Sequence, residues 1–161
     1  MFQYVDVSSV FGKCSYANAI IKGSSDYPLI MGKVSFYETR EGVIVVSNIS
    51  GLPINDKKCK NRIFGFHIHG GESCTPAEGE AFKNALSHYD TSMCPHPYHT
   101  GDMPPLFGSS RGNAFLSFMT DRFNLCDIIG KTVIIHSMPD DFTTQPGGNS
   151  GERIGCGVIE I

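Results

Sequence analysis

The sequence predicts an all-β fold: a Greek-key β-sandwich or flattened eight-stranded barrel with long loops. Three observations predict it. Short runs rich in Val, Ile and Phe recur between turn signals. The 161 residues include eighteen Gly and nine Pro, a turn-rich composition. The long irregular stretches fall late in the chain, between strands and not between helices. The length fits one domain spanning residues 1–161 with a substantial core.

Residues 14–22 read as a strand, closed by the turn Gly23-Ser24-Ser25-Asp26. Leu29 to Thr39 is a second strand, and Arg40-Glu41-Gly42 turns the chain into a third, Val43 to Ile49; two such runs around a short Gly-containing turn predict a hairpin. Residues 51–62 are a polar loop and Ile63 to His69 a strand. Little regular signal follows from Gly70 to Gly112, apart from a short helix expected within Glu78 to Ser87. A loop of that length inside a domain is usually functional. Asn113 to Thr120 is a strand, Leu125 to Gly130 a helical turn, Lys131 to Ser137 a strand, Met138 to Gly151 a loop, and Arg153 to Glu160 the last strand.

Charged residues make up 18% and the net charge is −3, too little basic character for nucleic acid or an anionic membrane surface. No stretch reaches the length of a membrane span. Met1 to Phe11 carries Asp6 and no Lys or Arg, so no signal peptide is visible and a cytoplasmic location is expected, with a trimmed leader as the competing reading. The six cysteines (14, 59, 74, 94, 126 and 156) form no C-x-x-C pair, and without export free thiols are expected.

Five of the six histidines lie between Phe66 and Asp102. His67 and His69 are two apart on a strand, so both rings point to one face and can reach one ion. His96, His99 and Asp102 recur every three residues in a loop stiffened by Pro95 and Pro97. Two imidazoles and a carboxylate suit zinc, which prefers four ligands; His88 is the candidate fourth. His136, alone in the apolar run Thr132 to His136, is then the remaining partner for His67 and His69, although a lone histidine in such a run is more often a satisfied core residue.

These segments resemble the copper–zinc superoxide dismutase family. The matching pieces are Gly65 to His69, Cys74 to Gly79, His88 to Asp90, His99 to Asp102, Ile129 to His136 and Gly148 to Arg153, running into Cys156 to Ile159. The N-terminal third agrees in strand pattern only. The resemblance implies that His67, His69, His88 and His136 ligate copper, and that His88, His96, His99 and Asp102 ligate zinc, with His88 bridging as an imidazolate. It implies that Asp140 links a copper ligand to a zinc ligand, that Arg153 stands beside copper to pair with an anion, and that Cys74 and Cys156 form a disulfide. Cys14, Cys59, Cys94 and Cys126 have no family counterpart.

The activity implied is conversion of superoxide to dioxygen and hydrogen peroxide by copper redox cycling, with His88 carrying a proton. A copper-delivery protein on the same scaffold is the competing reading. A homodimer is common in the family, but the sequence identifies no interface. Two departures stand out: only two residues separate His96 from His99, and Thr143, Thr144 and Gln145 replace the lysine and glutamates often found in the 138–152 loop.

Overall fold

The computed structural model describes residues 14–54 and 62–161. Nine strands and one short helix are found among them: β1 (Tyr16–Gly23), β2 (Met31–Glu38), β3 (Val43–Ser50), β4 (Ile63–Phe64), β5 (Phe66–His69), β6 (Leu106–Phe107), β7 (Ala114–Thr120), α1 (Leu125–Ile128), β8 (Thr132–His136) and β9 (Arg153–Glu160). Seven strands form one curled antiparallel sheet in the order β5-β8-β9-β1-β2-β3-β7; β4 and β6 pair separately. The all-β expectation holds, β2 and β3 form the expected hairpin, and β1 pairs antiparallel with the other edge of β2.

The core follows from alternation. Val43, Val45, Ser47 and Ile49 of β3 point inward and are buried, as are Ala17, Ala19 and Ile21 of β1. They meet Val34, Phe36, Phe66, Ile68, Val133 and Ile135 in one continuous cluster. Each fully buried Ile or Phe contributes about 1.5–3 kcal/mol, so the sheet is a firm base for what sits on its other face.

Four expectations are corrected. The run Ile63 to His69 is two strands, because the chain crosses at Gly65; a Cβ there would come within 2.9 Å of the Ser150 Cβ, and the Gly65 N–H donates to Met138 O. The helix expected within Glu78 to Ser87 shrinks to a single 3-10 turn, Lys83–Ala85. Phe82 and Ala85 turn inward onto Ile134 and Cys156, and the carbonyls of Phe82, Lys83 and Leu86 accept from Arg153, the first two also from the N–H groups of Ala85 and Leu86. The short strand β6, invisible in the sequence, exists because Leu106 and Phe107 pair with Phe64 and Ile63.

The fourth correction concerns the cysteines. Cys14 and Cys126, expected free, are bonded to each other, whereas the Cys74–Cys156 bond is the one the resemblance implies. The two pairs are 112 and 82 residues apart, a separation that no local pattern reveals. Cys94 is a free, exposed thiol; Cys59 lies outside the described residues. Among the described residues no helix is long and apolar enough to cross a membrane.

Candidate metal centre

The site is built on the outer face of β5, β8 and β9. Phe66 and Ile68 of β5 face the core, so His67 and His69 face outward. They are nonetheless buried, because the 70–105 and 138–152 loops cover them. Ile134 and Thr132 of β8 lie opposite His67 and His69. His136 would follow on the same face, and a register irregularity between Ile135 and His136 re-aims it, setting it opposite Arg153 of β9.

The loop is laid along β5 by backbone bonds. Tyr89 N–H donates to Ile68 O, and Ile68 N–H donates to Gly101 O. These pairings set His88 against His69, and Asp102 against His67. Two groups result in which the potential ligand atoms all lie within 4.8 Å of one another: His67, His69, His88 and His136; and His88, His96, His99 and Asp102. His88 belongs to both, with its ring centroid 4.1 Å from that of His67.

Four rings, those of His67, His69, His96 and His136, are each oriented through one nitrogen, which leaves the other directed at its group. His69 Nδ1–H donates to Leu86 O at 2.8 Å, and His136 Nδ1–H donates to Gly151 O at 3.2 Å. Carbonyls only accept, so in the neutral rings both Nε2 atoms carry lone pairs; they face each other at 3.3 Å. His67 Nε2–H and His96 Nε2–H donate to the two oxygens of buried Asp140, each at 2.8 Å. That carboxylate therefore joins the two groups. Partners of this kind fix the tautomer and aim of a metal-binding imidazole.

Nδ1 of His67, His96 and His99 are buried with no hydrogen-bond partner. The last two sit 3.0 and 3.3 Å from Asp102 Oδ2. Nitrogen lone pairs packed against a carboxylate oxygen without a hydrogen bond repel unless a cation lies among them. Four imidazoles suit Cu(II), and three imidazoles with one carboxylate suit tetrahedral zinc. The residues present fit both ions.

Electrostatics prepares the same state. Burial pushes His136 down to about 3 and His69 well below the usual histidine range, and it also lowers His67. These rings are therefore neutral bases at neutral pH, as metal ligands must be. Burial works against the Asp140 carboxylate, but the hydrogen bonds from His67 and His96 and the Phe142 N–H outweigh it and hold Asp140 at about 2. Asp102 is likewise lowered: burial opposes its charge, and the hydrogen bond from His88 with the nearby imidazoles overcomes that.

Arg153 reaches over the same pocket. Its Nη1 donates to Phe82 O at 2.8 Å and its Nη2 to Leu86 O at 2.6 Å. Leu86 O thus holds both the arginine and His69, and Leu86 pays for this with φ 62° and ψ −151°, a region that side chains avoid. The Cys74–Cys156 bridge ties this loop to β9. Arg153, His69, His88 and His136 line a cavity of about 990 Å³ whose walls also bear Asp26 and Glu152. All the residues expected at the site, Asp140 included, are thus brought together. Leu86, Gly148, Gln145 and Arg122 were not anticipated as supports; only the departure of Gln145 from the usual loop composition drew attention to it.

The comparisons agree with this geometry. The family described as Copper/zinc superoxide dismutase (SODC) matches residues 30–159. The chain is 34% identical over 144 residues to Superoxide dismutase [Cu-Zn] 2 of Aquifex aeolicus, covering 81% of this chain and 79% of that protein. It is 34% identical over 140 residues to Superoxide dismutase [Cu-Zn] of Legionella pneumophila, covering 83% and 80%. The crystal structure of the clock protein EA4 superposes with a TM-score of 0.77 at 25% identity, covering 100% of this chain and 99% of that one. With a family match over most of its length and two convergent ligand groups sharing one histidine, this chain belongs to the copper/zinc superoxide dismutase family.

Proposed function

We propose that the protein is a superoxide dismutase, with copper held by His67, His69, His88 and His136 and zinc by His88, His96, His99 and Asp102. The observation that carries this is the pair of four-ligand groups meeting at His88. When bound, copper supplies the one-electron chemistry by which two superoxide ions and two protons become one dioxygen and one hydrogen peroxide. Arg153 supplies a fixed positive charge for the anion: two of its donors are spent on the 82–86 turn, which holds the guanidinium at the cavity. His88 is turned through Nδ1 toward Asp102, so Nε2 is the atom that holds and releases a proton. Gly147 lies beside that Nε2, where a Cβ would approach to 3.1 Å, and its lack of a side chain keeps the nitrogen accessible.

Two disulfides among the described residues favour an oxidising compartment over the cytoplasmic one that the sequence suggests. The test of function is superoxide consumption by protein loaded with copper and zinc, together with electron paramagnetic resonance of the copper. Four-nitrogen Cu(II) and activity that disappears in His136→Ala are expected. A fully metallated, inactive protein overturns the proposal.

A further inference from the structure

We infer that Gln145 and Arg122 are positioning residues: from opposite sides they grip the backbone of the 95–102 loop, so that its three zinc ligands stand in place before an ion arrives. The inference rests on the zinc assignment proposed above.

Thr100 and Gly101 are bonded to Ile68, Tyr89 and Thr91, but the loop has no apolar anchor. Only His96, Thr100, Gly101 and Asp102 of residues 95–102 are buried, and Tyr98 is 64% exposed. No apolar side chain of the loop anchors it in the core. Zinc tolerates departures of only about 0.2 Å in ligand distance, so a loose loop would be ordered at the expense of affinity. Asp140 orients the His96 ring but does not fix where its backbone lies.

Two side chains that belong to neither ligand group do so. Gln145 pairs with the peptide of His96 in both directions. The His96 N–H donates to Gln145 Oε1 at 3.0 Å, and Gln145 Nε2–H donates to His96 O at 2.7 Å. The turn presenting Gln145 is itself closed. Asp141 accepts from the backbone N–H groups of Thr143 and Thr144, Asp141 N–H donates to Gly148 O, and Gly148 N–H donates to Thr144 O. Arg122, in the connection between β7 and α1, directs Nη1 at three carbonyls of the loop: Pro97 at 2.9 Å, His99 at 3.3 Å and Asp102 at 3.4 Å. Between them the two side chains touch the backbone of every ligand that the loop supplies. The contacts come from segments distant in sequence, so the loop is fixed by the folded sheet and not by the ion.

The test uses metal-free full-length protein and the variants Gln145→Ala, Gln145→Glu and Arg122→Ala, with Arg111→Ala as a control on an exposed arginine away from the loop. Zinc affinity is read by chelator competition, and geometry by the visible spectrum of Co(II) added in place of zinc. Gln145→Ala and Arg122→Ala are each expected to bind zinc about ten-fold or more weakly, with an altered Co(II) spectrum, while the urea midpoint of the metal-free protein stays put. Gln145→Glu keeps the acceptor for His96 N–H but loses the donor, so it falls between wild type and alanine. Variants that bind zinc as tightly as wild type, or that weaken only in proportion to a lost fold, overturn the inference. Wild-type protein that gives no four-coordinate Co(II) spectrum removes the zinc assignment itself, and the inference with it.

Discussion

Replacing both Cys14 and Cys126 with serine opens a cross-link between residues 112 apart that joins the start of β1 to α1. In the chain-entropy account the bridge restricts the unfolded chain by an amount that grows with the logarithm of loop length. For this separation it gives about 4.8 kcal/mol at 25 °C. That is an upper figure, because the Cys74–Cys156 loop overlaps this one and already restrains the same unfolded chain. A loss of roughly 2–5 kcal/mol is expected, which at roughly 2–4 °C per kcal/mol lowers the melting temperature on the order of 10 °C. Neither cysteine belongs to a ligand group, so the Cu(II) spectrum should not change. The assay is urea unfolding of metal-free protein, paired with peptide mapping under non-reducing conditions. A double variant as stable as wild type, with the 14–126 cross-linked peptide present in the wild type, refutes the reasoning. So does a copper spectrum that shifts as much as the stability does.

Three more outcomes can be checked. Gly148 has φ +66°, and a Cβ there would collide with Asp140 Oδ1 and come within 2.7 Å of His96 Nε2. Gly148→Ala should therefore break the bridge between the two ligand groups and weaken both metals in a competition assay, more than Gly79→Ala, where a Cβ meets nothing within 4 Å. The histidines give the metal-free protein a definite pH dependence. His69 and His136 have folded values below their unfolded value of 6.5, so the unfolded chain binds more protons in that window. Their neutral, buried state costs nothing extra above that value, and stability falls as pH drops below it; a urea midpoint flat between about pH 7.5 and about pH 4.5 contradicts this. At the cavity mouth, Asp26→Asn removes one negative charge facing an anionic substrate. A unit charge at roughly 10 Å in water is worth about 0.4 kcal/mol, so kcat/KM for superoxide should rise about twofold at low salt and the gain should vanish near 0.5 M, which stopped-flow measurement can follow.

Much of the site could be read from residue order. His67 and His69 share a face by strand alternation alone, and Pro95, Pro97 and the spacing of His96, His99 and Asp102 mark a stiff ligand loop. The strands were legible for the same reason: β9 and β3 carry β-branched runs bounded by turn residues. His88 and His136 were harder, because neither has a neighbouring ligand: His88 finds its place through its pairing with His69 of β5, and His136 through Gly65 O and its pairing with Arg153 of β9.

What the sequence determined by itself was the chemistry available: which imidazoles, which carboxylates and which faces of strands bear them. Tertiary structure alone decided the Cys14–Cys126 cross-link, the reduction of the 78–87 segment to one turn, and the grip of Gln145 and Arg122 on the ligand loop. Alternation and turn preference act between neighbours, so a short window of residues reveals them. A side chain that bonds a distant backbone carbonyl carries no such local mark, since its partner is chosen by the way the sheet curls and where the loops come to rest.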